Sequence, residues 1–285
     1  MACLFVEQLT VLDFSRLDRE RGLVGESWIV DLELEGELDP QSMVLDFGEV
    51  KRIARQAVED FADHKLLVPG GCGWLEVDTG AGTGAVRIEA LAAGLRLRSP
   101  GEAVCVVDAA TITMPVLRRC LEECVVTVMP PNVTAARVAL REEGVPGAYY
   151  HYSHGLKRHG GNCQRIAHGH RSRIEVYVDG RRNDHWERYW ADRWQDIYLG
   201  SDEDRVAETT LAERPAWRFA YESGQGEFEL ELWAERCELV PADTTVECLA
   251  AYVAGELARL SPGTAVRVRV YEGVNKGAVA AAGPA

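Results

Sequence analysis

The chain has 285 residues, 47% of them apolar, and a formal net charge of −14. That apolar share suffices to bury a substantial core, so a disordered chain is excluded, and the length corresponds to about two domains. The acidic balance argues against nucleic acid or a membrane surface as partner, because both repel an acidic protein at long range; a small molecule or another protein is expected instead.

The eight cysteines, Cys3, Cys72, Cys105, Cys120, Cys124, Cys163, Cys237 and Cys248, show no paired CxxC spacing, so reduced thiols are expected. The opening MACLFVEQLT lacks a basic segment leading into an apolar one, and no run of 18 apolar residues occurs. Neither export nor membrane spanning is supported, and a cytoplasmic location is expected.

In chain order, residues 28–35 alternate Val30, Leu32 and Leu34 with Asp31, Glu33 and Glu35, the period of a strand covered on one face, and Gly36 ends it. Val50, Ile53, Ala54, Ala57, Val58 and Phe61 then recur at helical spacing. A helix near 114–124 and a strand over 135–143 follow. Gly144 and Pro146 interrupt the pattern and place a boundary near residue 148.

The second half repeats this grammar at an offset of 144: Ile174, Val176 and Val178 alternate before Gly180 as their counterparts do before Gly36. Strand-like 228–232 follows 217–222 and the turn SGQG, a helix is expected over 244–257, and a closing strand over 265–272. Two copies of a strand, strand, helix, helix, strand unit with extra hairpins imply an α+β fold, antiparallel sheets with helices packed on one face, in domains 1–148 and 149–285.

Six of the seven histidines fall within residues 151–185. His168 and His170, two apart at the start of a strand, project from one face, while Gly169 leaves the other uncrowded. An HxH pair alone is more often polar decoration on an exposed strand. Here the preceding extended segment, 149–156, offers His154 or His151, and His154 is taken as the third ligand. Three neutral imidazoles with an open fourth position describe a catalytic zinc site. Cys163 lies five residues before His168 in a glycine-rich loop, where a nearby cation or metal favours the reactive thiolate, and it is a candidate base. Residues 151–182 carry Lys157, Arg158, Arg165, Arg171, Arg173, Arg181 and Arg182 against Glu175 and Asp179, an excess that suits an anionic substrate.

These residues resemble the family of 6-pyruvoyl-tetrahydropterin synthase and 6-carboxytetrahydropterin synthase, whose signature is S-H-x-L, then Cys, then H-G-H; here it reads SHGL, Cys163, HGH. The family's D-F-x-x-[LV]-K segment leading through a helix to D-H-K-x-L is matched by residues 45–51, LDFGEVK, and 63–67, DHKLL. Thr244, Thr245 and Glu272 resemble its pterin-binding threonines and glutamate, although TTVE has one residue more than a plain T-T-E. At offset 144 the first half has Val24, Gly25 and Glu26 where the second has His168, Gly169 and His170, so its metal site is lost; the second half has RRNDHWERYWADRW and no DHKxL, so its dyad is lost.

The resemblance implies two tandem tunnelling-fold repeats with one composite site per two repeats, formed within one chain or between neighbouring chains, and sheets that close into a barrel through homo-oligomerisation. It implies Zn2+ on His154, His168 and His170, proton abstraction by Cys163, a relay through Asp63 and His64, and a pterin held by Glu272, Thr244 and Thr245. The implied substrate is 7,8-dihydroneopterin triphosphate. Four residues separate Cys163 from HGH, between the five of the pyruvoyl branch and the three of the carboxy branch. The carboxy product, of the deazapurine and queuosine branch, is taken as the commoner bacterial role. Two other readings are a non-catalytic pterin- or purine-binding protein with structural zinc, and a zinc hydrolase that would tolerate Cys163→Ala.

Overall fold

The structure, a computed structural model, describes residues 2–80 and 84–284. The first repeat runs β1 (Ala2–Asp18), β2 (Gly22–Gly36), α1 (Phe47–Ala62), β3 (Leu66–Pro69), β4 (Glu76–Asp78), β5 (Ala85–Ala90), β6 (Leu95–Pro100), β7 (Val104–Val107), α2 (Met114–Val128) and β8 (Val133–Glu142). The second follows the same plan: β9 (Tyr149–His154), β10 (His168–Val178), β11 (Arg181–Arg182), α3 (Asp184–Arg193), β12 (Ile197–Ser201), β13 (Arg205–Leu211), β14 (Arg214–Ser223), β15 (Gly226–Trp233), β16 (Cys237–Val240), α4 (Val246–Leu260), β17 (Val266–Tyr271) and β18 (Gly277–Ala282).

Local chemistry sets these elements. Asp46 accepts from the N–H groups of Gly48 and Glu49 and so starts α1, which buries Val50, Ala54, Val58 and Ala62 at every fourth position. Asn183 and Thr245 cap α3 and α4 in the same way. β2 alternates buried and partly exposed residues only beyond Val30; from Gly22 to Val30 every residue is buried. Helices cover one face of that stretch and the second repeat covers the other.

Each repeat forms its own sheet, in the order β7-β3-β1-β2-β8 and β16-β12-β9-β10-β17-β18, with β11 added beside β10. Most pairings are antiparallel, as expected, and four are parallel: β3 joins β1, β7 joins β3, β12 joins β9 and β16 joins β12. β3 runs parallel to β1 because the chain reverses once into β2 and again through α1 before β3 begins. The hairpins build a third sheet, β13-β14-β15-β6-β5-β4, which crosses between the repeats where Leu230 and Leu232 pair with Leu97 and Leu95.

Separate apolar cores lie under the helices of each repeat, around Leu32, Val58 and Leu121 in one and Val176, Trp190 and Val253 in the other. A further core, including Leu23, Leu66, Ile166, Tyr198 and Phe228, draws on both. The repeats meet where β1 and β2 lie against β9 and β10. A Cβ on Gly25 would fall 1.9 Å from the Tyr152 carbonyl oxygen, and one on Gly169 would fall 2.7 Å from the Gly25 Cα. Only glycine at both positions allows the two sheets to approach this closely.

Candidate active site

Antiparallel register between β9 and β10 sets His154 opposite His168 and Tyr152 opposite His170. All three imidazoles are buried, with ring centroids 4.4 Å apart for His154 and His168 and 5.3 Å for His154 and His170. One ring nitrogen from each of the three lies within 4.8 Å of the others.

Their tautomers follow from their neighbours. His154 Nδ1 is 3.0 Å from the Thr244 carbonyl oxygen, and His168 Nδ1 is 2.9 Å from that of Arg165. A carbonyl only accepts, so each proton sits on Nδ1 and each lone pair on Nε2. Among the described residues, the buried Nε2 atoms of His154, His168 and His170 have no hydrogen-bond partner. Burial, reinforced by the neighbouring imidazoles, holds His154 and His168 well below the usual histidine range and therefore neutral. Three convergent imidazole nitrogens without partners among the described residues fit a metal ion, and zinc suits the donor set.

The first repeat supplies the groups beside this cluster. Asp63 ends α1, and His64, in the left-handed region at φ 54°, turns its Nδ1 to within 2.6 Å of Asp63 Oδ2. The His64 ring lies 5.2 Å from that of His168. Burial disfavours a charge on His64, but Asp63 and Cys163 more than offset it and raise its pKa to about 10. His64, Cys163 and His168 form a second close group. We favour the three-histidine group for the metal because its nitrogens lack partners, whereas His64 is engaged by Asp63.

The third sheet fixes the Cys163 loop. Tyr221 Oη donates to the Gln164 carbonyl at 2.8 Å, and Gln225 reaches Gln164 and Asn162. Arg165, almost fully buried, donates from Nη1 to the carbonyl oxygens of Asp63 at 3.3 Å and His64 at 3.5 Å. Glu272 Oε1 lies 4.0 Å from His170 Nε2. Thr244 is turned toward His154, and the Thr245 hydroxyl accepts from Cys248 N as the cap of α4.

The 6-pyruvoyl tetrahydropterin synthase family model matches residues 11–76 and 147–282. This chain belongs to that family. No curated protein matches it. Among solved structures, 6-pyruvoyltetrahydropterin synthase from Plasmodium vivax is 17% identical over 51% of this chain and 93% of its own, with a TM-score of 0.41. The Plasmodium falciparum protein is 13% identical over 49% and 90%, with a TM-score of 0.39.

Within this family member, the first repeat carries different side chains at the positions equivalent to the three histidines. Arg16 faces Val24 across β1 and β2 as His154 faces His168, and Glu26 stands at the position of His170. Arg16 Nε donates to Glu26 Oε1 at 2.9 Å, and Glu26 Oε2 accepts from Trp28 Nε1. A buried guanidinium and carboxylate thus occupy the equivalent of the three-histidine cluster. The His64 position falls on Asp196, also left-handed at φ 57°, which accepts two hydrogen bonds from Arg21.

Several sequence expectations are redistributed. His151 lies outside the metal cluster, with Nδ1 2.7 Å from the Gly25 carbonyl, and His159 and His185 are exposed. The local basic excess is largely neutralised: Lys157 pairs with Glu203 and Asp204, Arg158 with Glu203 and Asp243, and Arg182 with Glu187. Their partners lie outside the counted segment, so local charge counting could not find them. Asp13, Lys276 and Gln225 were also missed, since isolated polar residues carry no spacing signal.

Proposed function

We propose that this chain is a zinc-dependent pterin lyase whose single composite site takes 7,8-dihydroneopterin triphosphate. The observation that carries this reading is the set of three buried, unpartnered imidazole nitrogens beside Cys163 and the Asp63–His64 pair. In this reading His154, His168 and His170 hold Zn2+. Bound there, zinc supplies a Lewis acid for the side-chain oxygens of the substrate.

Cys163 removes a proton from the substrate side chain. His64, held charged by Asp63, is poised to donate one, and Asp63 fixes which ring nitrogen faces the reaction. Glu272 matches the amino and ring N–H edge of a pterin, since a carboxylate accepts two adjacent donors; Thr244 and Thr245 complete that pocket. The burial of the imidazoles excludes water from the ligand atoms and strengthens each charge interaction.

The carboxy product is the finer expectation, with the pyruvoyl product as its alternative. Repeats bounded at 1–148 and 149–285, a cytoplasmic setting and a homo-oligomer that closes the open sheets belong to the same reading. Incubating zinc-loaded protein with dihydroneopterin triphosphate and identifying products by mass tests it. Release of triphosphate is expected, either with the pyruvoyl-tetrahydropterin or, with uptake of one water, with the carboxy-tetrahydropterin and acetaldehyde from the two side-chain carbons lost. Intact substrate recovered bound to the protein would instead favour a pterin-binding role.

A further inference from the structure

Asp13 lies in β1 of the first repeat, 3% exposed, and touches both parts of the composite site. Its backbone N–H donates to Asp63 Oδ1 at 2.9 Å, and its carbonyl accepts from the His64 N–H at 2.7 Å. Its carboxylate turns toward the second repeat. Oδ1 lies 3.2 Å from His170 Nδ1 and accepts from Ser27 Oγ at 2.5 Å, while Oδ2 accepts from Lys276 Nζ at 2.9 Å.

The other two imidazoles of the cluster have carbonyls behind them, from Thr244 and Arg165. Among the described residues His170 has no such carbonyl; the Asp13 carboxylate stands in that place, 3.2 Å from Nδ1, and Nε2 has no hydrogen-bond partner. Asp13 is therefore the acceptor placed to select its tautomer. A carboxylate behind a ligating imidazole fixes the ring and raises its basicity.

The repeat relationship supports a built arrangement. Ser15 and Ser153 pair across the repeats, so Asp13 and His151, each two residues earlier, are equivalent. In the first repeat's eroded counterpart the roles are exchanged: His151 Nδ1 lies 3.6 Å from Glu26 Oε2, where Asp13 faces His170 in the retained site.

We propose that Asp13 is a positioning residue that orients His170 Nε2 toward the other two imidazoles and, through its peptide group, sets the distance between the metal and the Asp63–His64 pair. This rests on the metal reading above. The first repeat then contributes to metal binding itself as well as supplying the relay.

Cobalt(II) binding to the full chain tests this without turnover, by chelator competition and by visible absorption, in wild type, Asp13→Ala, Asp13→Asn and His154→Ala. Asp13→Ala is expected to bind cobalt about 10–100-fold more weakly with an altered absorption band. Asp13→Asn, which retains one oxygen acceptor, should fall between it and wild type. If the alanine variant fails to fold, the near-isosteric Asp13→Asn decides: weakened binding supports the inference, and wild-type affinity and spectrum overturn it. Folded Asp13→Ala that matches wild type in both readouts overturns this inference alone, provided His154→Ala loses cobalt. A wild-type protein that takes up no cobalt, or a His154→Ala variant that binds it normally, overturns the metal reading and this inference with it.

Discussion

The hydroxyls of Ser15 and Ser153 meet at 2.7 Å in the buried seam between the repeats. Beside them Gly25 and Gly169, each paired in register with one of these serines, pack backbone against backbone. Equivalent residues of the two repeats face each other here, so the first-repeat dyad can reach the second-repeat histidines within one chain.

That seam has no room for a methyl group. Gly25→Ala would push a Cβ into the Tyr152 carbonyl and the His170 amide. Overpacking of this kind costs about 1–3 kcal/mol, and more where backbone must move. Thermal unfolding should show a lower midpoint, and the shift of the β10 backbone should also weaken metal retention.

The ion pair in the eroded site gives a separate expectation. The Arg16 and Glu26 side chains are 14% and 4% exposed. Removing one partner, as in Arg16→Met, leaves a buried carboxylate uncompensated and should destabilise the protein by about 3 kcal/mol. Arg16→Met combined with Glu26→Met should recover a large part of that loss. A denaturant-based double-mutant cycle measures the coupling.

Metal removal should be visible as stability. Three desolvated imidazole nitrogens find their partner only in a bound ion, so zinc at a hundredfold excess over its Kd should stabilise the fold by about 2.7 kcal/mol. Calorimetry should show the midpoint falling by roughly 4–5 °C on chelation in wild type and unchanged in His154→Ala.

Replacing groups beside the metal should separate chemistry from binding. Cys163→Ala and His64→Ala should each lose turnover while retaining zinc, as measured by product formation and metal content. A hydrolase using metal-bound hydroxide would tolerate Cys163→Ala, so retained activity in that variant would redirect the functional reading.

Helices α1, α2 and α4, strands β2 and β10 and the histidine pair of β10 were legible in the sequence, because each has a periodic or spacing signal. Val50, Ala54 and Val58 lie buried along α1, and His168 and His170 open β10 as their alternation implies. Other features depend on distant segments. β1 is absent from the sequence reading because its second half is buried without a simple alternation, the other repeat covering its outer face. The pairing of β6 with β15 joins residues more than a hundred positions apart, and short strands do not announce their partners. Asp13 belongs to this class as well: its meaning comes from a histidine in the other repeat.

The central claim, that one chain supplies both parts of its site, is tested most directly by complementation. His64→Ala and His154→Ala chains, co-expressed with different tags and purified through both, would be assayed with dihydroneopterin triphosphate beside wild type. The structure, with Asp63, His64 and the three histidines together in one chain, predicts that the mixed oligomer stays inactive. Recovery of a substantial fraction of wild-type turnover would contradict it, because a complete site could then form only from the dyad of one chain and the histidines of another.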